Sequence, residues 1–343
     1  MKLLVIRMSS LGDVILSTAF LESLPKDVEV DWIIAKEFAF VLKGHPRIHH
    51  LIEFDKKSGM KGWIQLIAKL SHQDYDARVD LHVTLRSQIA RLVFHWLDLS
   101  RGIWVPWKKI SKQRFHFYGY LIFKKLWPSF LRPTPLWKRF SRLAMQVSKQ
   151  NHEFKHPSML HQLPTDSTEV LKKYQLEPKK YFVVMPSSRW KSKEWGAESY
   201  AKLCADHAKK TRLIPVILGR TQDESAVSLI EQLKAQSIDH RSVLTENDFK
   251  FTGSLIQHSC FYVGSDTGLA HLAEAVGTPA FMIFGPTRPD LGFGPWSEKS
   301  GSIHSEVICS PCSKDGRTCY RFNEPYACLK KITVEQVKEH LPS

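Results

Sequence analysis

Residues 262–287 read YVGSDTGLAHLAEAVGTPAFMIFGPT, and this stretch decides the fold. Phe261–Gly264 is a short apolar strand, Leu269–Val276 has apolar residues at helical spacing, and Ala280–Phe284 is apolar throughout. Strand, helix and strand joined by short links make a parallel βαβ unit. Between the first strand and the helix, Ser265 or Asp266 is placed to cap the helix, while Thr267 and Gly268 offer backbone N–H groups that the helix cannot use. A glycine at a helix start lets a phosphate oxygen approach closely. His271 lies one turn further along. Alone, such a loop also admits the lesser reading of an ordinary cap beside a buried histidine, so its neighbours matter.

Those neighbours repeat the pattern. A strand at Tyr181–Met185 runs into PSSRWKSKEWGAESY (186–200) and a helix at Ser199–Lys210. Another at Leu213–Leu218 runs into LGRTQDE (218–224) and a helix at Ser225–Ala235. Ser187 and Ser188 bring hydroxyls, Arg189, Lys191 and Lys193 bring cations, and Asp223 or Glu224 can accept hydrogen bonds from ribose hydroxyls. Three strand ends therefore converge on a nucleotide-like anion. A short helix is expected at Ser254–His258 and a last one at Thr333–Leu341.

The first half opens with a strand at Lys2–Arg7, the turn of SSLGDVILS (9–17) and a helix at Asp13–Leu24. Strands at Val28–Ile34, His50–Phe54 and Ala77–Val83 follow, with helices at Glu37–Lys43 and Ser87–Leu97. Gly12 permits the tight turn, and Asp13 sits where the helix dipole attracts a carboxylate. Alone, Asp13 reads best as a cap; opposite a nucleotide site, it reads as a general base. The expected class is α/β, with two doubly wound Rossmann-like domains facing a central cleft. Their expected limits are 1–165 and 170–325, with a C-terminal helix in 326–343 and the polar stretch 152–167 as linker.

Length and composition agree. The chain has 343 residues, 43% of them hydrophobic, enough for two cores. Leu3–Ile6 is too short for a signal core, and no apolar run reaches the roughly 18 residues a membrane span needs. Six cysteines do not make a secreted disulfide scaffold. The net charge is +15 and lopsided: residues 1–165 hold 26 Lys/Arg against 13 Asp/Glu (+13), the rest 23 against 21 (+2). Within 101–155 the ratio is 13 to one, Glu153. Such a field attracts an anionic partner.

The segments RMSSLGDVILSTAFLESL (7–24), SSRWKSKEW (187–195) and Tyr262–Thr287, with the CSPC tail, resemble the bacterial lipopolysaccharide heptosyltransferases of glycosyltransferase family 9. The resemblance spans both halves and is weak over 101–155. It implies the GT-B fold and transfer of heptose from ADP-heptose to the inner core of lipopolysaccharide, with inversion. By position, Asp13 matches the base, Lys193 the lysine on the donor phosphates and Ser188 a neighbouring hydroxyl. Asp266, Thr267, Gly268 and His271 match the loop that holds the donor. Ser187 and Glu224 are assigned to the donor, and Ser10, Gly12 and Arg86 to the acceptor. SSRWKSKEW is one residue longer than the common spacing, which leaves Lys191 a rival to Lys193. Thr221 stands where some members have Glu.

Other signals weigh less. Asp74-Tyr75-Asp76 imitates an acidic metal motif but precedes a strand, so a metal there is rejected. Cys309, Cys312, Cys319 and Cys328 form C-x2-C-x6-C-x8-C. The first pair has zinc-ligand spacing and the second is wide, leaving structural zinc, reduced thiols and disulfides all open. Cys204 and Cys260 read as core residues. Trp104, Trp107, Phe115, Phe117, Trp127, Phe130 and Trp137, interleaved with Lys and Arg in 104–146, read as an interfacial anchor or as plain core. The expected partners are a nucleotide-sugar donor, an acidic lipid-linked oligosaccharide and the inner-leaflet surface, with no nucleic acid. A cytoplasmic enzyme at the inner membrane, needing no metal or other cofactor for transfer, is the expectation. Rivals are a catalytically silent binder of nucleotide sugar or anionic glycolipid, and a transferase of another sugar. A Rossmann dehydrogenase is disfavoured because the first loop lacks G-x-G-x-x-G.

Overall fold

The computed structural model describes residues 1–97, 103–106, 119, 122–123, 133–163, 167–244, 249–312 and 315–342. They fall into two compact units. The first takes the described residues of 1–114 with Leu136–Gln162, and the second those of 115–135 with Leu163–Ser343. Trp107, Phe115, Phe117, Trp127 and Phe130 lie outside the described residues.

The first unit contains β1 (Lys2–Ile6), α1 (Leu11–Glu22), β2 (Glu29–Ala35), β3 (His50–Phe54), α2 (Gly59–Ser71), β4 (Ala77–Asp80), α3 (Leu85–Leu97), β5 (Ile103–Pro106) and α4 (Leu136–Ser148). All five strands are parallel, in the order β3-β2-β1-β4-β5. Leu3–Ile6 and Val30–Ala35 are buried almost completely, as strands covered on both faces must be. The order reverses direction between β1 and β4, and open α/β sheets bind ligands outside the carboxyl ends at such a point.

The second unit runs α5 (Thr168–Lys173), β6 (Tyr181–Met185), α6 (Ala197–Thr211), β7 (Ile214–Gly219), α7 (Glu224–Ala235), β8 (Arg241–Leu244), α8 (Phe249–His258), β9 (Tyr262–Ser265), α9 (Gly268–Ala275), β10 (Ala280–Phe284), β11 (Gly301–His304), α10 (Ala327–Lys330) and α11 (Val334–His340). Its six parallel strands are ordered β11-β10-β9-β6-β7-β8, with the reversal between β6 and β9. Phe182, Val184, Tyr200, Leu229, Phe261 and Val263 anchor its core.

Several expectations are corrected. The helix expected at Glu37–Lys43 is a 3-10 turn, Lys36–Val41, in a stretch soon broken by Gly44 at φ +80° and by Pro46. The strand expected to reach Val83 stops at Asp80, whose carboxylate accepts the N–H groups of His82 and Val83 and turns the chain. Val83 has φ +49°, a backbone that a β-branched residue adopts only under strain. Helix α2 and the edge strands β5, β8 and β11 were not expected. Trp137 belongs to the core: α4 buries Leu136, Trp137, Phe140, Leu143 and Ala144 on one face, so Trp137 is no interfacial anchor. Among the described residues no helix is long and apolar enough to cross a membrane.

Gly264 shows how closely β6 and β9 meet. A Cβ at this position would lie 2.7 Å from the Met185 carbonyl oxygen. Gly264→Ala must therefore push the two strand ends apart, and is expected to cost about 1–3 kcal/mol, read as a lower urea midpoint.

Candidate active site

In the second unit, the carboxyl ends of β6 and β9 carry the loops that the sequence marked. Lys193 Nζ lies 2.7 Å from Asp266 Oδ2, and both side chains are nearly buried, at 12% and 10% exposure. Thr287, just past β10, donates from Oγ1 to the same oxygen at 3.0 Å. Ser265 Oγ in turn donates to the Lys193 carbonyl at 2.7 Å. Burial pushes the Asp266 carboxyl upward, but Lys193, His271 and the hydrogen bonds from Lys193 and Thr287 outweigh it. Its pKa ends below the ordinary carboxylate value. Lys191, the rival, is 80% exposed and pairs loosely with Glu224 at 3.7 Å. Of the two, Lys193 is thus the lysine held at the β6 and β9 strand ends.

The cap of α9 is Thr267, not Ser265 or Asp266: Thr267 has extended backbone and Gly268 opens the helix. Ser265 and Asp266 are committed to Lys193 instead. His271 is buried, with its ring nearly parallel to Trp296 at 6.2 Å between centroids. One turn on, Glu274 accepts the amides of Trp296 and Ser297 at 2.9 and 2.8 Å and so fastens that segment to α9. Burial raises the Glu274 pKa to about 7 against the pull of those amides.

The β6 loop is held from beneath. Glu194 accepts the Ser188 amide at 2.9 Å and the Ser225 hydroxyl at 2.7 Å, tying the loop to α7. Ser187 is buried, and its hydroxyl has no hydrogen-bond partner among the described residues. Of the two carboxylates considered for ribose, Asp223 is taken: it caps α7, accepts the Arg220 amide at 3.0 Å and pairs with the Arg220 guanidinium at 3.2 Å. Glu224 is 90% exposed and keeps its carboxylate open to solvent.

In the first unit, Ser10 precedes α1 and donates from both its amide (3.3 Å) and its hydroxyl (2.9 Å) to Asp13 Oδ2. The Arg7 guanidinium lies 2.8 Å from that oxygen and donates to the Leu81 carbonyl beyond β4 at 2.6 Å. Arg7 is buried, whereas the Asp13 side chain keeps 26% exposure. Asp13 is therefore oriented through Oδ2 and partly solvent-accessible. Gly12 is the second residue of α1. Arg86 is the second residue of α3, just past the β4 loop, with its guanidinium 5.9 Å from the Phe54 ring centre. Ser10, Gly12, Asp13 and Arg86 thus all lie at or just beyond the β1 and β4 carboxyl ends.

Sequence reasoning missed four residues: Arg7, Glu194, Glu274 and Thr287. Three signals were readable. Arg7 is an arginine at the end of an apolar strand, Glu274 is an acid on the apolar helix of the decisive stretch, and Thr287 closes FGPT.

The family model for glycosyltransferase family 9 (heptosyltransferase) matches residues 63–321. The lipopolysaccharide heptosyltransferase 1 of Pseudomonas aeruginosa is 23% identical over 343 residues, covering 93% of this chain and 87% of that one. Among solved structures, the family 9 glycosyl transferase of Veillonella parvula aligns with a TM-score of 0.75 at 17% identity, over 99% of this chain and 95% of that one. The Escherichia coli heptosyltransferase WaaC with ADP aligns at 0.70 and 17%, over 99% and 98%. These alignments bear out the GT-B architecture.

Replacing Lys193 by Met leaves Asp266 buried without its main counter-charge, an expected loss of about 3–5 kcal/mol at pH 7. A carboxylate with a depressed native pKa contributes stability above its unfolded pKa, and this is lost as pH falls through the native value. The gap between wild type and Lys193→Met should therefore be widest at neutral pH, narrower at pH 4, and close only below the ordinary carboxylate value of 3.8. Urea unfolding at pH 7 and pH 4 reads this directly; a gap independent of pH would contradict it.

Proposed function

The chain belongs to glycosyltransferase family 9, the heptosyltransferases, and on that premise we propose that it moves heptose from ADP-heptose to the inner core of lipopolysaccharide. The observation that carries this reading is the buried Lys193–Asp266 pair beside the N-terminus of α9, at the strand-order reversal of the second unit. An anion bound there meets the Lys193 ammonium and the free amides of Thr267 and Gly268 together. Lys193 already has Asp266 as partner, so its position is set before any ligand arrives. Ser187 and Ser188 offer the next donors, and Glu224 an acceptor for ribose hydroxyls. In this reading the second unit binds the donor and the first the acceptor.

The chemistry follows from these charges. The acceptor hydroxyl gives its proton to Asp13 while its oxygen bonds to the anomeric carbon. The bond from that carbon to the diphosphate oxygen breaks on the opposite side, so configuration inverts and ADP departs. Lys193 and the α9 amides stabilise the charge growing on the diphosphate, which is where preorganised dipoles lower a barrier most. Arg7 and Ser10 orient the Asp13 carboxylate through Oδ2. In this scheme cations and amides compensate the leaving charge, without a metal at the reacting bond.

The basic stretch 101–155 adds a reading of the acceptor, since thirteen cations against one acid suit a phosphorylated glycolipid at an anionic membrane surface. That supports action at the inner leaflet from the cytoplasmic side.

Asp13→Asn is the direct test. Purified protein with ADP-heptose and a deacylated core acceptor should release ADP, and the variant should lose about 10²–10⁴-fold in rate. ADP affinity should not change. Release by the variant at the wild-type rate would refute the base assignment, and tight ADP binding without turnover on any core acceptor would favour a silent binder.

A further inference from the structure

Between β11 and α10, residues 305–326 hold no helix or strand among those described, yet they border a cavity of about 450 Å³. Cys309, Cys312, Cys319 and Cys328 all line it, with Ser192 and Pro286. A loop of this length inside a compact unit needs something to hold it. Its large apolar side chains do little of that: Ile308 and Phe322 are each 91% exposed. No disulfide links the cysteines among the described residues.

The Tyr326 amide donates to Cys319 Sγ at 3.3 Å. Tyr326 takes φ +61°, a left-handed conformation uncommon for a bulky residue, immediately before α10. Amide hydrogen bonds to sulfur favour the charged form and are a common outer-sphere feature of metal–thiolate centres. The thiols of Cys309, Cys312 and Cys319 all lie close enough to Cys328 to act on it electrostatically. Four cysteines lining one cavity, with an N–H group aimed at one of them, suit a cation among them.

We propose that Cys309, Cys312, Cys319 and Cys328 bind one thiophilic metal ion, zinc or iron, as a structural tetrathiolate site. Sulfur ligands in fours select these ions. The sulfurs are not among the ligand groups already within 4.8 Å of one another, so binding draws them inward to about 3.8 Å apart, as tetrahedral geometry requires. The two groups that do meet that spacing are poorer candidates. In Glu22–His45–His161, the Arg47 amide donates to His45 Nδ1, so the neutral ring carries its proton on Nε2 and has no lone pair there for a metal. In Asp31–His49–His50, the Asp31 carboxylate already serves Tyr75, His50 and Lys2.

The site has a consequence for Lys193. Ser192 donates to the Gly316 carbonyl, Ser310 to the Gly285 carbonyl at 2.7 Å, and the Cys312 amide to the Pro286 carbonyl at 3.0 Å. The cysteine loop therefore grips the chain beside Lys193 on one side and beside Thr287 on the other. Stapling that loop fixes both ends of the Lys193–Asp266–Thr287 bridge.

The test uses the full chain, purified without chelator or nickel resin, with metals quantified by mass spectrometry. About one zinc or iron per chain is expected, with Cys260→Ser unchanged and Cys312→Ser and Cys319→Ser reduced below a tenth. If those variants fail to fold, wild-type protein stripped by chelator and given cobalt(II) should develop the visible bands of a tetrahedral tetrathiolate. A chain isolated without metal that takes up neither zinc nor cobalt, or an intact mass lowered by disulfides, would overturn the proposal. Metal content is read without substrate, so its outcome stands apart from the transferase reading.

Discussion

The pairing of Lys193 with Asp266 is the constraint on which the second unit depends. It joins the loop after β6 to the loop after β9, the two strands flanking the reversal of sheet order. Thr287 brings in the loop after β10 through the same carboxylate oxygen. Removing two charges from water is costly, and a buried pair often adds little net stability over apolar side chains of similar size. What such a pair does supply is position. It holds an ammonium group beside a helix N-terminus, where a diphosphate can share it at little reorganisation cost.

The first unit uses a related device with a different balance. Arg7, buried at the end of β1, pairs with Asp13 and reaches across to the Leu81 carbonyl beyond β4. Both units thus place a charge pair at the reversal of a parallel sheet. They differ in exposure: the Asp266 side chain is 10% exposed and Asp13 26%. A carboxylate closed off by a lysine and a threonine suits structure, whereas one more open to water suits proton exchange. That difference separates the roles of two aspartates that look alike in sequence.

Much of this was legible because parallel strands buried on both faces read as unbroken apolar runs, and because the loops after them are short and rich in Gly, Ser and Asp. His50–Phe54 and Ala280–Phe284 fall where the sequence placed them. The edge strands β8 and β11 escaped because four residues of mixed polarity carry no clear period, and β5, IWVP, because it is short and runs into the aromatic and basic stretch that begins at Trp104. Helix α2 buries Trp63, Ile67 and Leu70 at helical spacing and was passed over behind Gly59 and Gly62. In α4 the spacing of Trp137, Phe140 and Ala144 was equally present, hidden by the lysines and arginines between. At the site, residue types placed the loops correctly but not their internal division of labour. Only coordinates show that Ser265 and Asp266 serve Lys193 while Thr267 takes the cap, or that Asp223 is spent on Arg220 and Glu224 is not.

The measurement that bears most directly on the account is calorimetric titration of ADP into the wild-type chain and into Lys193→Met, with circular dichroism confirming that both are folded. Lys193 as the phosphate-binding cation predicts at least a tenfold weaker affinity in the variant, about 1.4 kcal/mol, and a smaller dependence on salt in the variant. Equal affinity in two folded proteins would contradict the claim that the buried pair at the β6 and β9 strand ends is the donor site.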